Sequence, residues 1–323
     1  MINVGIIGGA GYTAGELIRI LLYHPNVQLN YIHSKSQAGK PVTAIHGDLI
    51  GETELVFTDQ PPAGTDALFL CMGHGESVTW MREHAALAEK CAIIDLSHDF
   101  RIKASGHQFV YGLPELQRTA IQEARHIANP GCFATAIQLA LLPLAHAGLL
   151  NEEVHVHAIT GSTGAGQKPT HTSHFSWRNN NVSVYKAFDH QHLAEIRQSL
   201  NQLSPTGFSQ PLNFIPMRGN FTRGIMATAY TTSILSTQQL TELYQQYYAD
   251  APFTCMATEN PDLKQVVNTN KCILFAEQHQ GKALIISMID NLLKGASGQA
   301  VQNMNLVFGF PETAGLWLKP IAF

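Results

Sequence analysis

Ile2-Asn3-Val4-Gly5-Ile6-Ile7 opens the chain, Gly8-Gly9-Ala10-Gly11-Tyr12-Thr13-Ala14-Gly15 follows, and Glu16 to Tyr23 continues with apolar residues spaced for one packed face. The apolar run predicts a buried strand, the glycine cluster a tight turn, and the last stretch a helix. Small residues between a strand and a helix let backbone N–H groups approach a pyrophosphate at the positive end of the helix. Gly8, Gly11, Tyr12, Thr13 and Ala14 are therefore candidate contacts of a dinucleotide.

Further strands are expected at Val27 to His33, at Ala67 to Met72 after a break at Pro61-Pro62, and at Ala92 to Leu96 after a helical stretch from Ser77 to Lys90. Strands alternating with helices imply a Rossmann-type α/β fold, a doubly wound parallel sheet. The second strand runs into His33-Ser34-Lys35-Ser36, where an acid would hold the ribose 2′-hydroxyl of NAD. No acid stands there. The Ser34 hydroxyl and the Lys35 ammonium suit a 2′-phosphate, so NADP is the expected cofactor.

Beyond Asn129-Pro130-Gly131 the pattern changes: an apolar helix from Phe133 to Ala147, an alternating strand from Val154 to Thr160, and a Gly/Ser/Thr/His-rich loop from Gly161 to Ser176. Strands at Ile225 to Ile234, Cys272 to Gln278 and Ala283 to Ile289, with helices at Gln191 to Leu203 and Thr237 to Tyr248, imply a second, mixed or antiparallel sheet. Ala296 to Phe308 reads as a last helix.

The 323 residues carry 20 Lys+Arg against 24 Asp+Glu, a net charge of −4, without a basic run of the kind that tracks a phosphate backbone, so nucleic acid is not expected as a partner. No apolar stretch approaches the ~20 residues that span a bilayer, and no charged leader precedes the first strand, so a cytoplasmic protein without membrane attachment is expected. The five cysteines, at 71, 91, 132, 255 and 272, form no Cys-x-x-Cys pair, which argues against zinc ribbons and a disulfide framework. Cys71, Cys91 and Cys272 adjoin strands and read as small buried hydrophobes. Cys132 differs: it follows an Asn-Pro-Gly turn and opens a helix, where unpaired N–H groups and the macrodipole favour a thiolate. The histidine pairs His155/His157, His171/His174 and His190/His192 lack a nearby set of chelating Cys or carboxylates, so no metal is expected.

Together these stretches resemble the N-acetyl-gamma-glutamyl-phosphate reductases of arginine biosynthesis, a branch related to the aspartate-semialdehyde dehydrogenases. The likeness covers essentially the whole chain. It rests on Gly8 to Leu17, Ile94 to Arg101 (IDLSHDFR), Tyr111 to Leu116 (YGLPEL), Asn129 to Thr135 (NPGCFAT), Gly161 to Gly166 (GSTGAG), His190 to Ile196 (HQHLAEI), Arg223 to Ile225 and Asp290 to Phe310. The cysteine motif and the last segment are the specific ones. The family usually has a Pro after the third strand, where Met72-Gly73-His74-Gly75 stands here, and an Arg after the Gly-Ala-Gly loop, where Gln167-Lys168 stands.

The resemblance implies an NADP-binding domain of residues 1–131 with 296–323 and an α+β catalytic and dimerisation domain of 132–295. It implies NADPH-dependent reduction of N-acetyl-L-glutamyl 5-phosphate to the 5-semialdehyde and phosphate through a Cys132 thioester, in a homo-oligomer, dimer or tetramer. By the same resemblance His190 and His192 serve the thiol, one as base and proton donor, and Gly164 and Asn291 attend the cofactor. Arg101, Asn129 and Arg223 would hold the anionic substrate, since a guanidinium fork grips a carboxylate or a phosphate in two places. An aspartate-semialdehyde-dehydrogenase-like enzyme is the nearest alternative. A non-catalytic dinucleotide sensor is the other, and it would have no use for an activated thiol at Cys132.

Overall fold

The computed structural model describes residues 1–60 and 64–321, so the expected break at Pro61-Pro62 lies outside the described residues. The chain divides into two compact units, Met1–Pro130 with Ala296–Trp317, and Gly131–Gly295 with the chain from Leu318.

In the first unit β1 (Ile2–Ile7), α1 (Tyr12–Leu21), β2 (Val27–His33), β3 (Ala67–Leu70), α2 (Glu76–Glu83), α3 (Ala85–Ala88), β4 (Ala92–Asp95), β5 (Val110–Tyr111), α4 (Pro114–Glu123) and β6 (His126–Ala128) follow in order. The strands lie side by side as β2-β1-β3-β4-β6-β5, all neighbours parallel. Parallel strands are covered on both faces, and β3 and β4 are accordingly buried at every residue. Ile7, Leu68, Leu70 and Ile93 pack with Trp80, Ala88 and Cys91 on one side of that sheet.

Two helices depart from expectation. The first starts at Tyr12 rather than Glu16 and ends at Leu21 rather than Tyr23, because Gly11, in extended conformation, already serves as its N-cap. The stretch from Ser77 to Lys90 is two helices, broken at His84, whose backbone leaves the helical region (φ −119°, ψ 31°). Helix α4 and the short strands β5 and β6 were not anticipated.

The second unit contains α5 (Cys132–His146), β7 (Val154–Thr160), α6 (Phe175–Arg178), β8 (Ser183–Val184), α7 (His192–Leu203), β9 (Leu212–Arg218), β10 (Ile225–Thr232), α8 (Thr237–Tyr247), β11 (Thr254–Met256), β12 (Cys272–His279) and β13 (Lys282–Ile289). Its seven strands run β11-β12-β13-β10-β7-β9-β8 in a mixed sheet. Helix α5, buried from Phe133 to Ala145, packs on β10, β13 and α7. It is apolar all round because it lies in the core. Pro143 lacks the N–H that would bond the Leu139 carbonyl, and the Tyr248 hydroxyl donates to that oxygen instead, at 2.7 Å.

Alternation along β7 buries Val154, Val156, Ala158 and Thr160 and turns His155, His157 and Ile159 to the opposite, half-open face, where His155 stacks on Tyr230. The last helix, α9 (Ser297–Val307), returns to the first unit and packs on α1 and α4. Among the described residues no helix is long and apolar enough to cross a membrane.

Candidate active site

The turn between β1 and α1 is held from behind. Gly8 has φ +85°, and a Cβ there would stand 2.6 Å from the Cys71 carbonyl oxygen. His46, which bonds the Gly9 carbonyl at 2.8 Å, lies so close to Gly15 that a Cβ would meet its ring at 2.7 Å. A Cβ on Gly11, by contrast, would meet nothing within 4 Å. Helix α1 begins there with no side-chain cap and no acid in its first turn. Open space over uncapped amides at a positive helix end is what a pyrophosphate requires, so the residues fit a dinucleotide. Tyr12 is exposed, Ala14 is buried, and the Thr13 carbonyl accepts the Ser297 hydroxyl at 2.8 Å. At the end of β2 Ser34 is buried, while Lys35 and Ser36 are exposed.

The rest of the first unit's candidate residues are tied into the fold. Arg101 donates from Nε to the Asn129 carbonyl (2.9 Å) and from Nη2 to the Leu96 carbonyl (3.1 Å). The Asn129 amide donates to Ala296 O (3.0 Å) and accepts from Asn303 Nδ2 (3.1 Å), which also reaches Gly112 O (2.9 Å). A Cβ on Gly112 would fall 2.4 Å from that Asn303 nitrogen, which accounts for the glycine of YGLPEL. Buried Asp95 accepts from the Ser77 and Ser97 hydroxyls, both at 2.7 Å, and burial pushes its carboxyl up. The Gly73-His74-Gly75 turn, where the family's Pro is absent, is anchored by Asp99, which accepts the Gly75 N–H at 2.8 Å. His74 and His98 stack there, ring centres 4.0 Å apart and nearly parallel. His74, His98 and Asp99 each offer one possible ligand atom, all within 4.8 Å of one another, while His74 Nδ1 accepts the His98 N–H and His98 Nδ1 faces Asp99 at 2.8 Å.

In the second unit Cys132 is the first residue of α5. A Cβ on Gly295 would come 2.8 Å from the Cys132 Cβ and 2.7 Å from the Asn291 carbonyl oxygen, so the glycine after buried Lys294 makes room for the thiol-bearing residue. Glu195, also buried, accepts the Gly131 N–H through Oε2 at 3.1 Å. Its other oxygen is 3.8 Å from His192 Nε2. The Gly131 amide is thus already engaged, and Glu195 was not anticipated.

Both His190 and His192 are buried. The Nδ1 of His190 accepts the His192 N–H at 3.2 Å, so in the neutral ring the proton sits on Nε2. Burial, with Lys186 and Arg218 adding positive charge nearby, pushes the His190 pKa down to about 4. Tyr185 lies against the same ring, centres 5.8 Å apart. Burial first, and then the Cys132 charge, raise the Tyr185 pKa to about 12, which places its ring within electrostatic reach of the thiol. Lys186 and Phe188, in the segment leading to His190, have φ of +46° and +61°, a strained conformation that clusters at functional sites.

Arg223 does not present an open fork. Its Nε and Nη2 meet the two oxygens of buried Asp290 at 3.0 and 3.1 Å, the bidentate arrangement expected for a substrate carboxylate. Asn291 is similarly tied, accepting the Gly224 N–H at 2.7 Å and donating to the Thr163 hydroxyl at 3.0 Å. Gly164 lies in the short turn Ser162–Ala165, where a Cβ would approach the Thr160 hydroxyl at 3.3 Å. Cys91 and Cys272 are buried, Cys255 is exposed, and Cys71 is half-buried with its thiol pushed up to about 12 by burial.

Comparison with known proteins gives the family. Residues 3–124 match the semialdehyde dehydrogenase NAD-binding domain and 132–291 the semialdehyde dehydrogenase dimerisation domain. N-acetyl-gamma-glutamyl-phosphate reductases of Parabacteroides distasonis and Bacteroides thetaiotaomicron are 60% and 58% identical over 324 residues, covering all of both chains. The aspartate semialdehyde dehydrogenase II of Vibrio cholerae, solved with ASA, superposes with a TM-score of 0.75 at 16% identity over 96% of this chain and 98% of that one. The Candida albicans aspartate semialdehyde dehydrogenase, solved with NADP, gives 0.74 at 12% identity over 95% and 98%. At those identities the two structures establish the fold, and the full-length likeness to the reductases establishes more: the chain belongs to the N-acetyl-gamma-glutamyl-phosphate reductase family of the semialdehyde dehydrogenases.

Proposed function

We propose that the chain catalyses NADPH-dependent reduction of N-acetyl-L-glutamyl 5-phosphate to N-acetyl-L-glutamate 5-semialdehyde and phosphate, through a thioester on Cys132. The observation that carries this is Cys132 at the first position of α5, admitted there by Gly295, in a chain 60% identical over its full length to a named reductase. The Cys132 thiolate attacks the acyl carbon, a C–S bond forms, and the C–O bond to phosphate breaks with its electron pair leaving on phosphate. The amides of the β1–α1 turn would hold a nicotinamide dinucleotide, which would supply the hydride for reduction of the thioester. Return of the C–S electron pair to sulfur then frees the aldehyde.

His190 enters this sequence as a neutral ring. With Nδ1 held by the His192 N–H, it presents Nε2–H as a donor to the oxygen or sulfur on which charge develops. Of the base and donor roles that the resemblance implied, the tautomer favours the donor. Of the expected Ser34 and Lys35, Ser34 is buried, and the exposed Lys35 with its neighbour Ser36 supports NADP over NAD as a partner for a 2′-phosphate. The half-open face of the second sheet, where Met226, Phe275 and Leu284 sit partly buried around Met288 and Ile286, is the face we assign to contact with a second copy. The unit carrying it matches a dimerisation domain.

The test runs the reaction backwards. N-acetyl-glutamate semialdehyde, inorganic phosphate and NADP should give phosphate-dependent reduction of the nicotinamide, slower with NAD and absent with aspartate semialdehyde. Turnover of aspartate semialdehyde alone, or none with either aldehyde, overturns the proposal.

A further inference from the structure

Arg218, the last residue of β9, carries no expectation from the sequence, yet it stands where the second unit's reactive groups meet. Its guanidinium carbon is 4.7 Å from the centre of the Tyr185 ring, and its charge acts on both Tyr185 and His190. Its Nε is buried and has no hydrogen-bond partner among the described residues. A buried guanidinium N–H without an acceptor is costly, and a ligand oxygen in the site would satisfy it.

The surrounding charge points the same way. Arg178 donates to the Arg218 carbonyl at 2.7 Å and stacks on Trp177, and Lys186 reaches Gln191 at 3.0 Å. Among the described residues none of Arg178, Lys186 and Arg218 has a carboxylate within ion-pair distance, whereas Arg223 is closed by Asp290. Arg178 has its N–H groups taken up by Thr172, Asn181, Ser183 and the Arg218 carbonyl and adds charge alone; with it, Lys186 and Arg218, beside a thiol and a neutral imidazole, form a site for an anion. An aromatic face under the guanidinium holds its plane and leaves its edge N–H groups for in-plane acceptors.

Resting on the proposed reaction, we infer that Arg218, stacked on Tyr185 and flanked by Arg178 and Lys186, binds an anionic oxygen group of the substrate, the role first expected of Arg223. Carboxylate and phosphoryl oxygens share the chemistry that this edge recognises. The substrate offers its phosphoryl group and its α-carboxylate, and an N-acyl group with a carboxylate of its own would offer a further one.

The experiment measures kcat and KM in the aldehyde-oxidising direction for the parent, Arg218→Lys and Arg218→Met, varying in turn inorganic phosphate, N-acetyl-glutamate semialdehyde and its N-succinyl counterpart. NADPH affinity of each variant, followed by nicotinamide fluorescence, reports the cofactor site, and circular dichroism with a urea midpoint reports folding. Arg218→Met should raise one of these KM values by about tenfold or more with a smaller effect on kcat, and Arg218→Lys should recover part of it. A rise confined to phosphate identifies the phosphoryl group, an equal rise for both aldehydes the α-carboxylate, and a rise for the succinyl aldehyde alone the acyl carboxylate. If Arg218→Met binds NADP and every KM stays within about twofold of the parent, the assignment falls while the proposed function stands. A parent inactive with N-acetyl-glutamate semialdehyde and phosphate instead overturns the function on which the assignment rests.

Discussion

At the amino end of α1 the groups on offer are backbone amides; at the amino end of α5 they are side chains drawn from Cys132, Tyr185, His190 and Arg218. Both proposed sites use a helix start, and each has a glycine where a Cβ would collide, Gly8 against Cys71 and Gly295 against Cys132. They differ in how far apart in sequence their parts lie. The first site is one continuous run from Gly8 to Thr13, whereas the second gathers residues from α5, the segment before α7 and the end of β9. A backbone-built site tolerates changes of side chain and fails on added volume. A side-chain-built site fails with loss of a single functional group.

Cys132→Ser is the most severe test of that difference. A hydroxyl of far higher pKa replaces the thiol with almost no change of volume, so kcat should fall by about a thousandfold or more. NADP affinity, measured by fluorescence titration, should stay at the parent value because the amides of the α1 turn are untouched. Near-parent turnover would end the covalent reading, and loss of NADP binding would break the separation between the two sites.

His190→Asn comes next. Removing a positioned hydrogen-bond donor to the developing charge should lower kcat by about a hundredfold or more. The pH profile of the parent separates this from a packing role. Because the His190 pKa is pushed down to about 4, the ring is neutral from there upward, and activity that depends on the neutral ring should fall only as the pH drops through about 4. An inflection near the ordinary histidine value would contradict the buried, neutral ring. The same shift destabilises the fold in acid: between pH 6.5 and about 4 the unfolded chain binds a proton that the folded chain does not, so stability declines as pH falls through that window. Urea midpoints at pH 7 and pH 5 should show the decline in the parent and a smaller one in His190→Asn.

The same contrast explains what could be read in advance. Ile2 to Ile7, Val27 to His33 and Val154 to Thr160 form strands as anticipated, because their apolar periodicity is local. Strand β9 was missed because Pro216 and Asn213 interrupt its pattern, and with it went Arg218. Its Pro216 carbonyl still accepts the Tyr185 N–H at 3.1 Å. Cys132 could be recognised from its own neighbours. The fork of Arg223 could not, since nothing near RGI announces that Asp290, far along the chain, closes it. Asn129 is a similar case, its amide answered by Ala296 and Asn303. In each miss the deciding partner is remote in sequence and brought close only by the fold.

The smallest effect separates two glycines of one turn. At Gly8, φ is +85° and an added Cβ would stand 2.6 Å from a carbonyl oxygen of β3's continuation, so Gly8→Ala strains the backbone and displaces packed main chain. It should cost about 1 to 3 kcal/mol of stability, seen as a lowered Tm without cofactor. At Gly11, φ is −84° and an added Cβ enters open space, so Gly11→Ala should leave the Tm of the cofactor-free protein near the parent value. Its methyl group would instead occupy the room above the first amides of α1, weakening dinucleotide binding several-fold. Equal cofactor affinity in Gly11→Ala and the parent would mean that the open space over Gly11 is not the phosphate cradle. A Gly11→Ala Tm as low as that of Gly8→Ala would mean that the whole turn, not its first residue alone, is held by packing.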